Sequence, residues 1–175
     1  DAEEWLLPII LRINDLHQTS GVGMHPHASN SKDKFDEITV PRFLDYAEMH
    51  TYHQEFFSPL FSTDVVPTGK EQTWVFEVKS NLEDQQGELT WDHAPLAANK
   101  SSLVLIDLFD GKWVDMKTTG AYSFKHSGGR QFKVLYNREG EIKPGMTLLG
   151  EAYPNPFTSQ VRIPLLIDEP GMKQI

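Results

Sequence analysis

Alternation of apolar and polar residues is the clearest signal in the chain. Trp74, Phe76 and Val78 alternate with Val75, Glu77 and Lys79, the period of two that turns one face of a strand to a core and the other to water. Phe132, Val134 and Tyr136 repeat it against Lys133 and Leu135. Leu89-Thr90-Trp91 after Gly87, and Ala121 to Lys125 after Thr119-Gly120, predict two short strands. Two runs are apolar on both faces. Leu103 to Leu108 reads as a central strand, and Trp5 to Ile13 as another that contains Pro8. Proline cannot donate to a ladder, so Pro8 predicts a sheet edge or a bulge. Asp110-Gly111 predicts a hairpin leading to a returning strand at 112–116, because glycine takes positive φ without steric cost. Ser127-Gly128-Gly129 predicts a further hairpin turn. The stretch from Phe43 to Phe57 fits both periods, and its aromatic content and proline-bounded flanks favour a strand. Residues 14–42 have little periodicity, and a connection that long either serves a function or hides short strands.

Short strands at near-regular spacing, with turns between them, predict an all-β fold. Its form would be an antiparallel β-sandwich, Ig-like or jelly-roll-like, over residues 1–137. Strand-to-helix alternation is absent, which argues against a dinucleotide-binding fold. The pattern changes at Asn137. Residues 138–147 are polar, carry two glycines and a proline, and read as a linker. Beyond them Val161, Ile163, Leu165 and Ile167 share one face of a strand. A lone strand cannot bury its own face, so 148–175 reads as the incomplete first part of a second small unit.

Composition narrows the functional classes. With 39% hydrophobic and 23% charged residues over 175 positions, the chain is neither a disordered tail nor a membrane span. A net charge of −9 argues against nucleic acid or an anionic membrane as the main partner. The absence of cysteine excludes disulfides, thiol catalysis and thiolate metal sites. The chain starts at Asp1 with no signal peptide before its first strand, and reads as a piece of a longer protein.

Several side-chain groups invite chemistry. His25-x-His27 and His50-x-x-His53 would form a zinc site if their segments met, although Pro26 disturbs ladder geometry in the first pair. Surface histidines are the simpler reading. Asp33, Asp36 and Glu37 near Asn30 form a polar loop of the kind that holds calcium in sandwich domains, or a merely solvated acidic loop. Otherwise no cofactor is expected. Ser127 lacks the strand–turn–helix setting of a hydrolase elbow. Asp107 and Asp115 flank the Asp110-Gly111 hairpin. As a carboxylate pair they could serve glycoside hydrolysis, but solubilising edge charges explain them more simply. Trp74, Trp91 and Trp113 fall on strands, where core packing accounts for them better than a sugar-stacking platform.

One segment carries a family resemblance. Tyr153-Pro154-Asn155-Pro156-Phe157, followed by a polar spacer and an alternating apolar strand, resembles the opening of the C-terminal sorting domain of type IX secretion cargo from Bacteroidetes-type bacteria. The likeness covers 148–175, roughly the first third of such a domain. Pro164 departs from it, standing mid-strand where the family has an aromatic or polar residue. The motif has a physical logic. Its two prolines extend the backbone and restrict the residues before them, Asn155 can bond its own backbone in a turn, and Tyr153 and Phe157 offer apolar anchors. More loosely, Gly23 to Ser29, Phe35-Asp36-Glu37, Phe56-Phe57, Thr63 to Pro67, Trp74 and Leu89-Thr90-Trp91 resemble the β-rich domain often found just before that address. No activity comes with that domain. The resemblance implies a non-enzymatic region of a large secreted or cell-surface protein, exported across the outer membrane. Its partners would be the type IX translocon and its shuttle and attachment proteins. Two alternatives stand beside it: a carbohydrate-binding module with a glycan ligand, and the C-terminal flank of an enzyme whose catalytic residues lie upstream.

Overall fold

A computed structural model gives the fold and describes residues 4–39, 41–42, 44–53, 60–97, 100–142, 148–149 and 165–166. The chain is all-β, as the alternation predicts. Strand β1 (Trp5–Ile13) buries Leu7, Ile9, Leu11 and Ile13 and leaves Leu6, Pro8 and Arg12 exposed. A two-residue turn at Asn14-Asp15 leads into β2 (Leu16–His25). Asn14 has φ 51° there, the left-handed region that asparagine tolerates better than most residues. Pro8 sits where β1 has one free flank, since pairing with the neighbouring β7 (Gln86–Trp91) starts only at Ile9. The edge expected from this proline is therefore local to one end of an otherwise central strand.

The remaining strands are β3 (Glu37–Ile38), β4 (Ala47–Tyr52), β5 (Leu60–Pro67), β6 (Glu71–Ser80), β8 (Ser102–Asp107), β9 (Lys112–Asp115), β10 (Ala121–Lys125) and β11 (Arg130–Asn137). A single helical turn, α1 (Ala94–Ala97), follows β7. Eleven strands form one sheet in the order β10-β7-β1-β2-β5-β4-β6-β11-β8-β9, with β3 attached to β5. The sheet curls into a nearly closed, barrel-like form. Its pairings are antiparallel except β2 with β5, which run parallel from Gly21↔Thr63 to His25↔Pro67. Inward-facing residues from both halves of the sheet, among them Leu11, Val22, Met49, Trp74, Leu89 and Phe132, meet in one core. Burial of such side chains is the main favourable term in the fold, about 1.5–3 kcal/mol for each large apolar residue.

Three stretches complete or change the sequence expectations. Residues 16–25 are a ten-residue strand, one of the two outcomes expected of so long an aperiodic connection. The strand is hard to read because Gly21 and Gly23 hold two of its outward positions. A Cβ at Gly23 would stand 2.5 Å from the Trp5 carbonyl oxygen, so β2 can approach β1 only without a side chain there. Residues 60–67 are also a strand, β5, that the alternation did not single out. Finally, Ser127-Gly128-Gly129 does not close a hairpin. β10 pairs with β7, whereas β11 pairs with β6 and β8, so the turn joins two strands that share no ladder. Gly128 (φ 69°) supplies the conformation that such a turn needs.

The segment read as a linker is fastened at its start. The Arg138 amide donates to Lys70 O at 2.8 Å, and Asn137 Oδ1 accepts the amides of Glu139 and Gly140 at 3.0 and 2.8 Å. Ile142 packs on a second, smaller cluster of Val104, Ile106 and Leu108 that also takes in Trp113 and Leu135. Residues 143–147 lie outside the described residues. Further on, β12 (Leu148–Leu149) and β13 (Leu165–Leu166) pair antiparallel as a separate two-stranded sheet.

Candidate functional site

Two clusters of charged side chains stand out, one where the sheet nearly closes and one on β4 and β6. The first joins β10, one end of the sheet, to β8 and β11 near the other. Asp107 closes β8 and Arg130 opens β11, and they are only 1% and 3% exposed. Arg130 Nε donates to Asp107 Oδ2 at 3.0 Å, and its Nη2 bonds both Asp107 and Asp110. Arg130 Nη1 donates to Lys125 O at 2.9 Å. The Tyr122 hydroxyl donates to Asp107 Oδ2 at 2.7 Å, while Asp107 Oδ1 accepts the amides of Phe109 and Asp110. The rings of Phe109, Phe124 and Phe132 lie 4.9, 5.1 and 5.9 Å from the guanidinium carbon, within the range of cation–π attraction. Burial, then the bond to Asp107, pushes the Tyr122 phenol well above its ordinary value. The cluster ties β10 to β8 and β11 with side chains where no ladder joins them. Trp91 adds to this closure, its indole donating to Met116 O at 3.0 Å.

Asp107 is therefore not the solubilising edge charge that its place by a hairpin suggests. It is a buried ion-pair partner, whereas Asp115 is exposed and caps its own turn through the Lys117 amide. Both oxygens of Asp107 are engaged within the fold. The sequence held one clue, a carboxylate inside the apolar run from Leu103 to Leu108. Its partner is 23 residues away and becomes visible only through the β8–β11 pairing.

The second cluster arises from register. Glu48 and His50 share one face of β4 and pair with Lys79 and Glu77 of β6. Glu48 accepts from Arg42 Nε at 3.0 Å, and Lys79 bonds Glu77 at 2.9 Å. His50 stands between the two carboxylates and is 2% exposed. Burial holds its pKa down to about 4; Glu48 opposes this, and Lys79 and Arg42 add to it. Sequence reading singled out His50 only as a metal ligand and did not see the row of charges around it.

The histidines do not form a group of metal ligands, although the His25 and His27 rings lie 5.6 Å apart. His25 ends β2, faces Glu4 at 3.5 Å, and lies tilted against Phe35 with ring centroids 3.9 Å apart. His27 lies in the following turn rather than on the same strand face. His53 pairs with Asp64 at 3.3 Å. Among the described residues no group of three or more His, Asp or Glu could hold a metal ion. In the acidic loop Asp33 accepts the amides of Ser29 and Phe35, and Asp36 accepts those of Asp33 and Val65. Asp33 braces the loop internally and Asp36 pins it to β5, and Asn30 is exposed. Burial raises the Asp36 pKa.

Trp74 and Trp91 are buried in the core and Trp113 is half-buried on the smaller cluster. A sugar platform made of all three is thus ruled out by geometry. Phe109, 54% exposed, is the aromatic residue presented to solvent beside the first cluster. The motif residues Tyr153, Pro154, Asn155, Pro156 and Phe157 lie outside the described residues. In sequence they fall between β12 and β13, which pair with each other and not with the eleven-stranded sheet. No protein-family model, curated protein or solved structure matches the chain.

Proposed function

We propose that residues 1–137 are an accessory β-domain of a larger exported protein and that 148–175 open its type IX export address. The observation that carries this reading is the Tyr153-Pro154-Asn155-Pro156-Phe157 motif with an alternating apolar strand after it. The separate pairing of β12 with β13 supports it, because strands on both sides of the motif join a sheet of their own. In the domain before it, the buried ionic cluster of Arg130, Asp107 and Tyr122 is satisfied internally, as suits a group that holds a fold together rather than one that meets a substrate. The partners under this reading are the outer-membrane translocon and the proteins that shuttle and attach its cargo, and the destination is the cell surface or beyond.

The test is a reporter fused to the region from residue 148 to the natural end of the protein, expressed in a bacterium with an intact type IX pathway. The expected result is surface delivery that is lost when Tyr153 and Phe157 are both changed to alanine. Retention of the unmodified fusion inside the cell would refute the address.

A further inference from the structure

The row Arg42–Glu48–His50–Glu77–Lys79 runs from the segment before β4, through β4, to β6. With a neutral imidazole its formal charges cancel. Both ring nitrogens of His50 face carboxylates without bonding them: Nδ1 is 3.7 Å from Glu48 Oε1 and Nε2 is 3.9 Å from Glu77 Oε2. Nδ1 is buried with no hydrogen-bond partner, as is Glu77 Oε1. The carboxylates are held outward instead, Glu48 by Arg42 and Glu77 by Lys79. The ionisable groups facing His50 are Glu48 on its own strand, Glu77 and Lys79 on β6, and Arg42 on the preceding segment. From β11, Gln131, the register partner of Glu77, brings a neutral amide whose Oε1 is also buried and unpartnered.

We propose that His50 is an acid-sensing latch, whose protonation loosens the attachment of Arg42 and residues 44–46, and of β6, to β4. A proton on this ring adds a cation where water is nearly excluded, and an uncompensated buried charge is costly. The two carboxylates can compensate it only by closing the last half-ångström or more to hydrogen-bond distance. That movement draws Glu48 from Arg42 and Glu77 from Lys79. The segment carrying Arg42 is otherwise fastened at the end of β6, where Asn81 bonds the Tyr46 amide and the Leu44 carbonyl and Ser80 Oγ donates to Tyr46 O at 2.7 Å. Loss of the arginine contact leaves it on that anchor.

The direction of the effect follows from linkage. A histidine held below its ordinary pKa in the fold binds protons better when unfolded. Its contribution to stability is complete above about pH 6.5 and is lost as pH falls toward 4. For these two values the folding equilibrium constant drops roughly 30-fold between pH 7.5 and pH 5 from this group alone.

The experiment compares the full chain with its His50→Gln variant, by urea denaturation and by hydrogen exchange corrected for intrinsic rate, at pH 7.5 and pH 5. The expected result is an extra loss of about 30-fold in the wild type, with acid-dependent exchange concentrated in 44–52 and 75–80. Identical pH profiles for the two proteins would overturn the proposal, as would an acid loss with no change in those segments. If the variant does not fold, the ring titration of His50 in the wild type decides the matter. A midpoint below 6.5, with exchange in 44–52 and 75–80 rising over the same pH range, supports the latch; a midpoint at or above 6.5, or no such rise, overturns it.

Discussion

Asp107 shows how one residue can be misread from its neighbours in sequence and explained by its neighbours in space. Beside an Asp-Gly turn a carboxylate normally keeps an edge soluble. Here it accepts bonds from Arg130, Tyr122 and two backbone amides. Breaking a buried pair by removing one partner costs about 3–5 kcal/mol, since the other charge remains without compensation. Asp107→Ala should therefore destabilise the domain by about that amount in urea denaturation, with Asp110 holding part of the guanidinium charge. Arg130→Ala should cost a similar amount. The double variant should cost clearly less than the sum, because the two changes remove the same interaction. Simple additivity would mean that the pair is not a coupled unit.

Elements were legible where side-chain contrast was strong. β6, β7, β10 and β11 carry large apolar residues on one face, β8 is a continuous apolar run with its two faces in two clusters, and Gly111 (φ 68°) makes the hairpin expected between β8 and β9. β2 was not legible, because its contrast is removed by the glycines that let it lie close under Leu6 and the Trp5 carbonyl. This makes a test at the level of the strand. Gly23→Ala should lower stability by about 1–3 kcal/mol, the usual cost of overpacking, since the clash is with backbone. Gly21→Ala should be much milder, because its nearest neighbour is the Leu6 side chain at 3.2 Å, which can rotate. Equal midpoints for the two variants in a denaturant titration would contradict the close approach of β1 and β2. The partners of β10 were illegible for another reason. Turn chemistry at Ser127-Gly128-Gly129 reports a change of direction but not whether the next strand pairs with the last or with others.

For the whole molecule, a chain with no cysteine depends on packing and on its closing contacts. The sheet ends at β9 and β10. Between them the Arg130 cluster, the Trp91–Met116 bond and the edge-on contact of Phe124 with Phe132 (5.2 Å between centroids) do what ladder hydrogen bonds do elsewhere. The all-β class was readable from the alternation of apolar and polar residues alone. The curling of the sheet and its one parallel pairing depend on contacts between residues far apart in sequence. The export reading rests on a different kind of signal, a short motif outside the described residues, so the domain can fold as described whether or not the address works. The most direct measurement is the location of the native full-length protein, by protease accessibility of intact cells, in a type IX-competent strain and in an isogenic strain without the translocon. The reading predicts protease-accessible protein in the first strain and a protected, periplasmic pool in the second. Equal accessibility in both would contradict it.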